Sequence, residues 1–417
     1  MKREQSFRIA VRKFGPFESA VRKQWTAFEA NAHTGLVLDA QAFDLHSLVE
    51  TLFTLDGLRR GDWDVAFLNT DWIASANASG SVVDLAPFLR DSPPDDFPHG
   101  WSASLLRLQD MDGRVLGTPY HDGPECLIYR KDLFEDPKRQ DEYRTAFGTA
   151  LAPPQTWDEF HRIARFLQKP GEGLYGAVFA AFPDGHNTVY DFLLQLWTRG
   201  GELIDGSGKV QFDTPECREA LGFYRTMLQD DSAVHPHCRE MDSVKSGLAF
   251  AAGEGAMMVN WFGFAAMCET LPESRVKGRV NIANVPHASG GNSTSLNIYW
   301  LLSIAAGSPH SEVAYAFLRH CLSEHMDKLL TLEGAIGCRR STWADPEINR
   351  TIPFYNRLDD LHANARELPR RADWPEIASI IDELVLQTIQ TKKPANELLR
   401  AAAKKAQGLR LKQIAGQ

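Results

Sequence analysis

Short polar-aromatic phrases close the apolar, strand-like runs of this chain and recur along its length. Asn69-Thr70-Asp71-Trp72 follows DVAFL, Tyr120-His121-Asp122-Gly123 follows VLGTP, and Asn260-Trp261-Phe262-Gly263 follows AMMV. Val65–Leu68 shows no polar alternation, so it reads as a strand buried on both faces, as in parallel sheets. In α/β proteins, ligands bind beyond the carboxyl ends of strands, where loops expose side chains without disturbing the sheet. The phrases therefore predict an α/β fold with its chemistry at the strand ends.

Helix signals fill the intervals. Phe7, Ile9 and Val11 alternate as a strand, Gly15-Pro16 breaks it, and Val21, Trp25 and Phe28 follow at helical spacing. Thr156 and Glu159 form a capping box ahead of the stripe Phe160, Ile163 and Leu167, which Pro170-Gly171 ends. Thr214-Pro215 starts a second helix, with Leu221, Tyr224 and Leu228 on its apolar face. Ser308-Pro309 opens a third, predicted to bury Val313, Phe317 and Cys321. Asp373 and Glu376 cap a fourth, whose stripe is Ile377, Ile381, Leu384 and Thr388. Strands alternate with helices, which is α/β layering. The segment from Ala401 is basic, small and polar, and is expected to fray.

At 417 residues the chain exceeds a single core, so two lobes are expected. A net charge of −9, without a long Lys/Arg block before the C-terminal tail, argues against nucleic acid as the main partner. The six cysteines form no C-x-x-C pair, which leaves zinc and thioredoxin-type chemistry without support and favours single buried thiols. No metal and no cofactor is expected. Met1-Lys2-Arg3 resembles the start of a signal peptide, but no apolar stretch follows. No run of roughly 18 apolar residues spans a membrane. The chain is then either a mature form restarted at a new Met or a cytoplasmic protein.

Planar rings beside Asp and Asn suit a sugar: the ring covers a C–H face while the polar groups take hydroxyls. Asp71, beside Trp72 and Asn69, is a hydroxyl acceptor or else a helix N-cap. Trp261 is the expected ligand ring, with core packing as its alternative. Adjacent side chains on extended backbone point opposite ways, so a core-facing Phe262 turns Trp261 outward. Ser289-Gly290-Gly291-Asn292-Ser293 lacks the Lys and spacing of a phosphate loop and is a flexible turn or a backbone approach to ligand. Asn292-Ser293-Thr294 also matches a glycosylation sequon, a pattern with many false positives. Arg339 binds ligand bidentately or sits in a solvated pair with Arg340. Asp184, His186 and Asn187 contact ligand or cap the helix beginning near Val189. Two carboxylates flanking a glycosidic bond define a glycosidase, and Asp71, Asp122 and Asp184 are available. The chain carries no G-x-S-x-G, H-E-x-x-H or Rossmann fingerprint.

With these residues in place, the chain resembles the family 1 extracellular solute-binding proteins, the sugar receptors of ABC importers, of which maltose-binding protein is the best known. The resemblance runs in order through DVAFLNTDW, GRVLGTPYHDGPECLIYRKDLF, PPQTWDEF, FAAGEGAMMVNWFGF and SGGNSTSLNIYWLLSIAAGSPHSEVAYAFL. LIYRKDLF with the downstream TWDEF, and the GEGAMMVN run, are its most specific parts. The chain departs from the family at GAIGCRRS, where the common Pro is replaced, and in its basic Arg12-Lys13-Phe14 segment, which leaves a charged ligand open.

The resemblance implies a two-lobe periplasmic-binding-protein fold with a ligand cleft at the hinge between lobes. The first lobe is expected over roughly 1–119 and 290–325, the second over roughly 120–289 and 326–417. It implies a non-enzymatic, monomeric receptor of the periplasm or cell envelope, neither binding nucleic acid nor inserting in the membrane. Its ligand would be a carbohydrate or polyol, passed to ABC permease subunits. The candidate ligand residues are Arg12, Asn69, Asp71, Trp72, Tyr120, Asp122, Asp184, Asn187, Asn260, Trp261, Asn292 and Arg339. A glycoside-acting enzyme and a cytosolic carbohydrate sensor are the alternatives.

Overall fold

The computed structural model describes residues 5–415, with side chains to residue 409. The basic start Met1-Lys2-Arg3 lies outside the described residues. The chain divides into two compact units. The first runs to Gly123 and adds Asn297–His362 and Arg370–Ala372. The second takes Pro124–Leu296, Ala363–Pro369 and the chain from Asp373 onward.

The strands, in chain order, are β1 (Ser6–Arg12), β2 (Val37–Phe43), β3 (Val65–Asn69), β4 (Asp110–Met111), β5 (Arg114–Val115), β6 (Thr118–His121), β7 (Glu125–Arg130), β8 (Tyr175–Val178), β9 (Gly255–Trp261), β10 (Val280–Ala283), β11 (Ser295–Leu296), β12 (Trp300–Ile304) and β13 (Ala365–Arg366). Unit 1 is built on a five-stranded sheet in the order β2-β1-β3-β12-β6, with β4 and β5 as a separate hairpin. β1 runs parallel to β2 and β3, whereas β12 is antiparallel to β3 and β6. The expected buried strand is found at β3, all of whose residues are buried. Helix Gly15–Ala32 lays Trp25 flat on Phe7, with ring centroids 4.5 Å apart, and Phe317 of helix Ser311–Cys321 meets Phe7 edge-on at 5.9 Å. Phe317 and Cys321 are buried as expected. Val313, in the first turn, is only half-buried.

The stretch from 326 to 362 belongs to unit 1, not to the second unit as expected. Tertiary contacts draw it there. Gln24 Nε2 on the first helix donates to the carbonyl of Met326 at 3.2 Å. Asp327, 3% exposed, accepts from the amides of Cys338 (2.8 Å) and Arg339 (3.2 Å) and from Thr342 Oγ1 (2.6 Å). One buried carboxylate thus ties helix Glu324–Leu332 to the Gly-rich loop after it.

Unit 2 carries a four-stranded sheet in the order β10-β7-β9-β8 and a short β11–β13 pair. The amide of Ser295 donates to Asn364, and its hydroxyl donates to the carbonyl of Glu125, so the pair is tied to the start of β7. The Thr156–Glu159 capping box forms in full ahead of helix Trp157–Leu167. Thr214 caps helix Pro215–Leu228. Helix Ala395–Ala415 replaces the expected frayed end. Leu398, Leu399, Ala402 and Ala406 are buried at helical spacing, and the helix packs on helices Trp374–Gln390 and Pro215–Leu228. A small, weakly apolar stripe becomes stable once a neighbouring face covers it.

All six cysteines are free and buried, and burial pushes the Cys238 thiol up to about 12, so it stays a protonated, inert side chain. Among the described residues no helix is long and apolar enough to cross a membrane.

Candidate ligand-binding residues of the two units

In unit 1 the carboxyl ends of β1, β3 and β6 carry Arg12, Asn69 and His121. Because β12 runs the other way, its first residue, Trp300, lies at the same edge, opposite Asn69 on one side and His121 on the other. Asn69 Oδ1 accepts from the amide of Asp71 (3.2 Å) and caps the short turn Thr70–Trp72. The N-cap at this turn is therefore Asn69, and Asp71 is left half-buried at the strand end. Trp72 is 7% exposed and stands edge-on to Trp300 at 5.6 Å, so it braces a wall whose half-buried ring is Trp300.

His121 adds a polar face to this wall. Its Nδ1 accepts from the amide of Ile336 at 2.9 Å, which places the remaining ring proton on Nε2. Burial lowers its pKa to about 4, so the ring is a neutral donor at physiological pH. Half-buried Phe14 lies at its side, ring centroids 6.4 Å apart. Trp300, His121 and Phe14 are not among the sequence candidates. Their convergence depends on strand order, which no local pattern encodes.

Several sequence candidates have internal partners instead. Tyr120 is 3% exposed and its hydroxyl donates to Gln24 Oε1 at 2.8 Å. Asp122 is 2% exposed, with Oδ2 2.7 Å from His362 Nε2. His362 Nδ1 in turn meets Ser104 Oγ at 2.8 Å, and its ring stacks on Trp343 at 5.2 Å. The Ser104–His362–Asp122 order has the composition of a hydrolase relay. Its geometry braces two points where the chain leaves unit 1, just after Asp122-Gly123 and just after His362. Arg339, 1% exposed, is neither a ligand arm nor a solvated pair. Its guanidinium lies over Trp101 at 4.6 Å and donates to the carbonyls of Asp95 and Leu322 and to Asp96 Oδ2. Arg12 is half-buried and reaches the carbonyls of Lys13 and Phe43 at 3.3 and 3.4 Å.

In unit 2, β9 ends at Trp261, which lies opposite Glu125 of β7. Phe262 is fully buried and Trp261 half-buried, the division that alternation predicts. Tyr190 of helix Asn187–Trp197 meets Trp261 edge-on at 5.7 Å and 82°. Asn260, 3% exposed, holds this turn from inside rather than facing outward. Its Nδ2 donates to Ser243 O and Ser246 Oγ, and its Oδ1 accepts from the amide of Trp261 at 2.8 Å. Asp184 takes the capping alternative. Oδ1 accepts from the amides of His186 and Asn187, and Oδ2 from Asn187 Nδ2 at 3.0 Å. Asn187 is 8% exposed in consequence. Asn292 is exposed, next to a turn closed by Gly291 N donating to Ala288 O. A Cβ at Gly291 would lie 2.1 Å from the Thr198 carbonyl, so that turn requires glycine.

Two buried acids behind Trp261 escaped the sequence reading. Glu125 is 3% exposed, and Asp191, 9% exposed, accepts from Tyr224 Oη at 2.8 Å. The signal available was Asp191 itself, an acid inside the largely apolar helix segment VYDFLLQLW. Burial pushes Asp191 up to about 7; burial, and then the neighbouring Asp191 charge, hold Glu125 well above the carboxylate range. Both groups bind protons more tightly folded than unfolded. Their contribution to stability is therefore full below the ordinary carboxylate range and lost as pH rises through about 7. Unit 2 is expected to melt several degrees higher at pH 5 than at pH 8, and Asp191→Asn to flatten that slope. Scanning calorimetry of both proteins across this range checks it; equal slopes would show that the pair does not titrate differently on folding.

Strand-end aromatic rings and hydrogen-bonding groups are the side chains that a ligand-binding surface uses. A sequence profile of the bacterial extracellular solute-binding proteins matches residues 15–327, and the chain belongs to that family. Members of the family are binding receptors and not enzymes, so the glycosidase alternative falls. A binding protein of Brucella abortus is 22% identical over 404 residues, covering 95% of this chain and 90% of its own. Among solved structures, a ribitol complex of an ABC transporter solute-binding protein from Agrobacterium radiobacter K84 has a TM-score of 0.85 at 24% identity, covering 97% of this chain and 98% of its own. Maltose-bound T. maritima MalE3 has a TM-score of 0.84 at 23% identity, covering 97% and 99%. These structures share the two-lobe α/β fold.

Proposed function

We propose that this chain is the substrate-binding receptor of an ABC importer, taking up a carbohydrate or polyol in the periplasm or cell envelope and delivering it to permease subunits. The observation that carries the reading is Trp261, a half-buried ring at the carboxyl end of β9 whose neighbour Phe262 is fully buried. A ring in that setting covers the C–H face of a sugar or the carbon chain of a polyol. Asp71, Trp300 and His121 of unit 1 supply an acceptor, an apolar face and a neutral donor, which is the mixture a polyhydroxylated ligand needs. The family and the ribitol- and maltose-bound structures of similar fold support this ligand class. In this reading ligand engages residues of both units, and only contacts made in one arrangement shift the population toward it. The receptor acts as a monomer.

A thermal-shift screen over sugars and polyols tests the proposal. A ligand present at 100 times its Kd adds about 2.7 kcal/mol of stability, which a melting curve resolves. Solution scattering should then show a smaller radius of gyration with the best ligand at saturation. A panel in which no sugar or polyol raises the melting temperature would reject the carbohydrate reading.

A further inference from the structure

The buried acids behind Trp261 carry the reading to a narrower ligand class. Glu125 opens β7 directly opposite Trp261, and its Oε2 is buried with no hydrogen-bond partner. Asp191 follows Tyr190, whose ring is edge-on to Trp261, and its charge acts on Glu125. A third acid, Asp184, lies close enough to act on Asp191 and also on Asp382, which is bonded to Thr188 one turn before Asp191. The titratable groups facing the pair are thus Tyr224 and Cys238 from behind and Asp184 from the loop. No lysine, arginine or histidine acts on either Glu125 or Asp191 among the described residues. Buried carboxyls are ordinarily paired with a cation or a donor. Here, among the described residues, the fold assembles the acids and supplies the Tyr224 hydroxyl as donor.

A metal ion does not fit. Among the described residues no group of three or more His, Cys, Asp or Glu side chains is placed to hold one. An organic ammonium is the chemical match, because carboxyls accept from its N–H donors and an indole attracts its charge. We infer that Glu125 and Asp191 form a cation subsite beside Trp261, which takes the protonated amino group of an amino-bearing sugar or polyol and prefers it to the neutral hydroxyl twin. The inference rests on the proposed carbohydrate-receptor function and narrows its ligand. Without ligand the acid pair retains a proton; an arriving ammonium, already charged, replaces it, and the proton leaves to solvent. Binding of the amine therefore releases a proton, whereas binding of a neutral twin does not.

Calorimetry on the full chain at pH 7, in two buffers of different ionisation enthalpy, tests this with matched probes. The pairs are D-glucosamine with D-glucose and 1-amino-1-deoxy-D-sorbitol with D-sorbitol. At least one amine is expected to bind about tenfold or more tightly than its twin and to release about one proton. In Glu125→Gln, which keeps the side-chain shape, that ratio should fall to near one. Asp191→Asn reads the same ratio should the first variant fail to fold. Neutral twins that bind as tightly as the amines, or a ratio surviving in both variants, would overturn the subsite and leave the carbohydrate receptor standing. If neither amines nor neutral twins bind, the subsite falls, and the wider sugar and polyol panel then decides the receptor reading separately.

Discussion

Asp327→Ala is expected to destabilise unit 1 by roughly 3–5 kcal/mol, the scale of an uncompensated break in a buried polar network. The carboxylate accepts from two backbone amides and one hydroxyl, and it is almost wholly buried. Removing it leaves the amides of Cys338 and Arg339 and the Thr342 hydroxyl without that acceptor, in a place where the loop has little room to adjust. A Cβ on Gly337 would already lie 2.3 Å from Asp327 Oδ2, which shows how closely the loop is wrapped on this group. Asp327→Asn keeps one acceptor oxygen and should cost less. Denaturant unfolding of both variants measures the difference. A loss below about 1 kcal/mol in the alanine variant would mean the loop is held chiefly by Tyr355 and Trp343, whose side chains donate to Gly337 or accept from it.

Phe262→Ala and Trp261→Ala are expected to separate stability from binding at adjacent residues. Phe262 is fully buried, its amide donates to the Pro124 carbonyl, and large-to-small changes of a buried Phe cost about 3–5 kcal/mol. Trp261 is half-buried, so its removal should lower the melting temperature far less. Its effect should appear in ligand affinity: stacking of a planar group on an aromatic side chain contributes about 1–3 kcal/mol by alanine substitution for nucleic-acid bases. A similar scale for a sugar implies at least a several-fold rise in Kd. Calorimetry with the best ligand of the screen, alongside melting curves, decides it. Normal binding by Trp261→Ala, with binding lost in a folded Phe262→Ala, would reverse the assignment of the two rings.

Much of the fold was legible because its causes are local. The uninterrupted apolar run at Val65–Leu68 read as a fully buried strand, and Thr156 with Glu159 specified a helix start to the residue. The period of two at Trp261-Phe262 put the two rings on opposite sides, and the structure buries Phe262. The C-terminal helix was misread because the small residues at 402 and 406 gain their stability from helices formed elsewhere in the chain.

The candidate residues divide on the same physical ground. A strand end, a cap or an alternation depends on neighbours a few positions away, so sequence alone could place Asn69, Asp71 and Trp261 at strand termini. The fate of a polar side chain depends on whether a partner reaches it, and such partners come from far along the chain. Asp122 meets a histidine 240 residues later, and Arg339 meets an aspartate 243 residues earlier. The proximity of Trp300 to Asn69 and His121 comes from the antiparallel insertion of β12 between β3 and β6. Periodicity and capping determined the elements and their faces; strand order and distant hydrogen-bond partners decided which of the polar and aromatic residues remain at the surface.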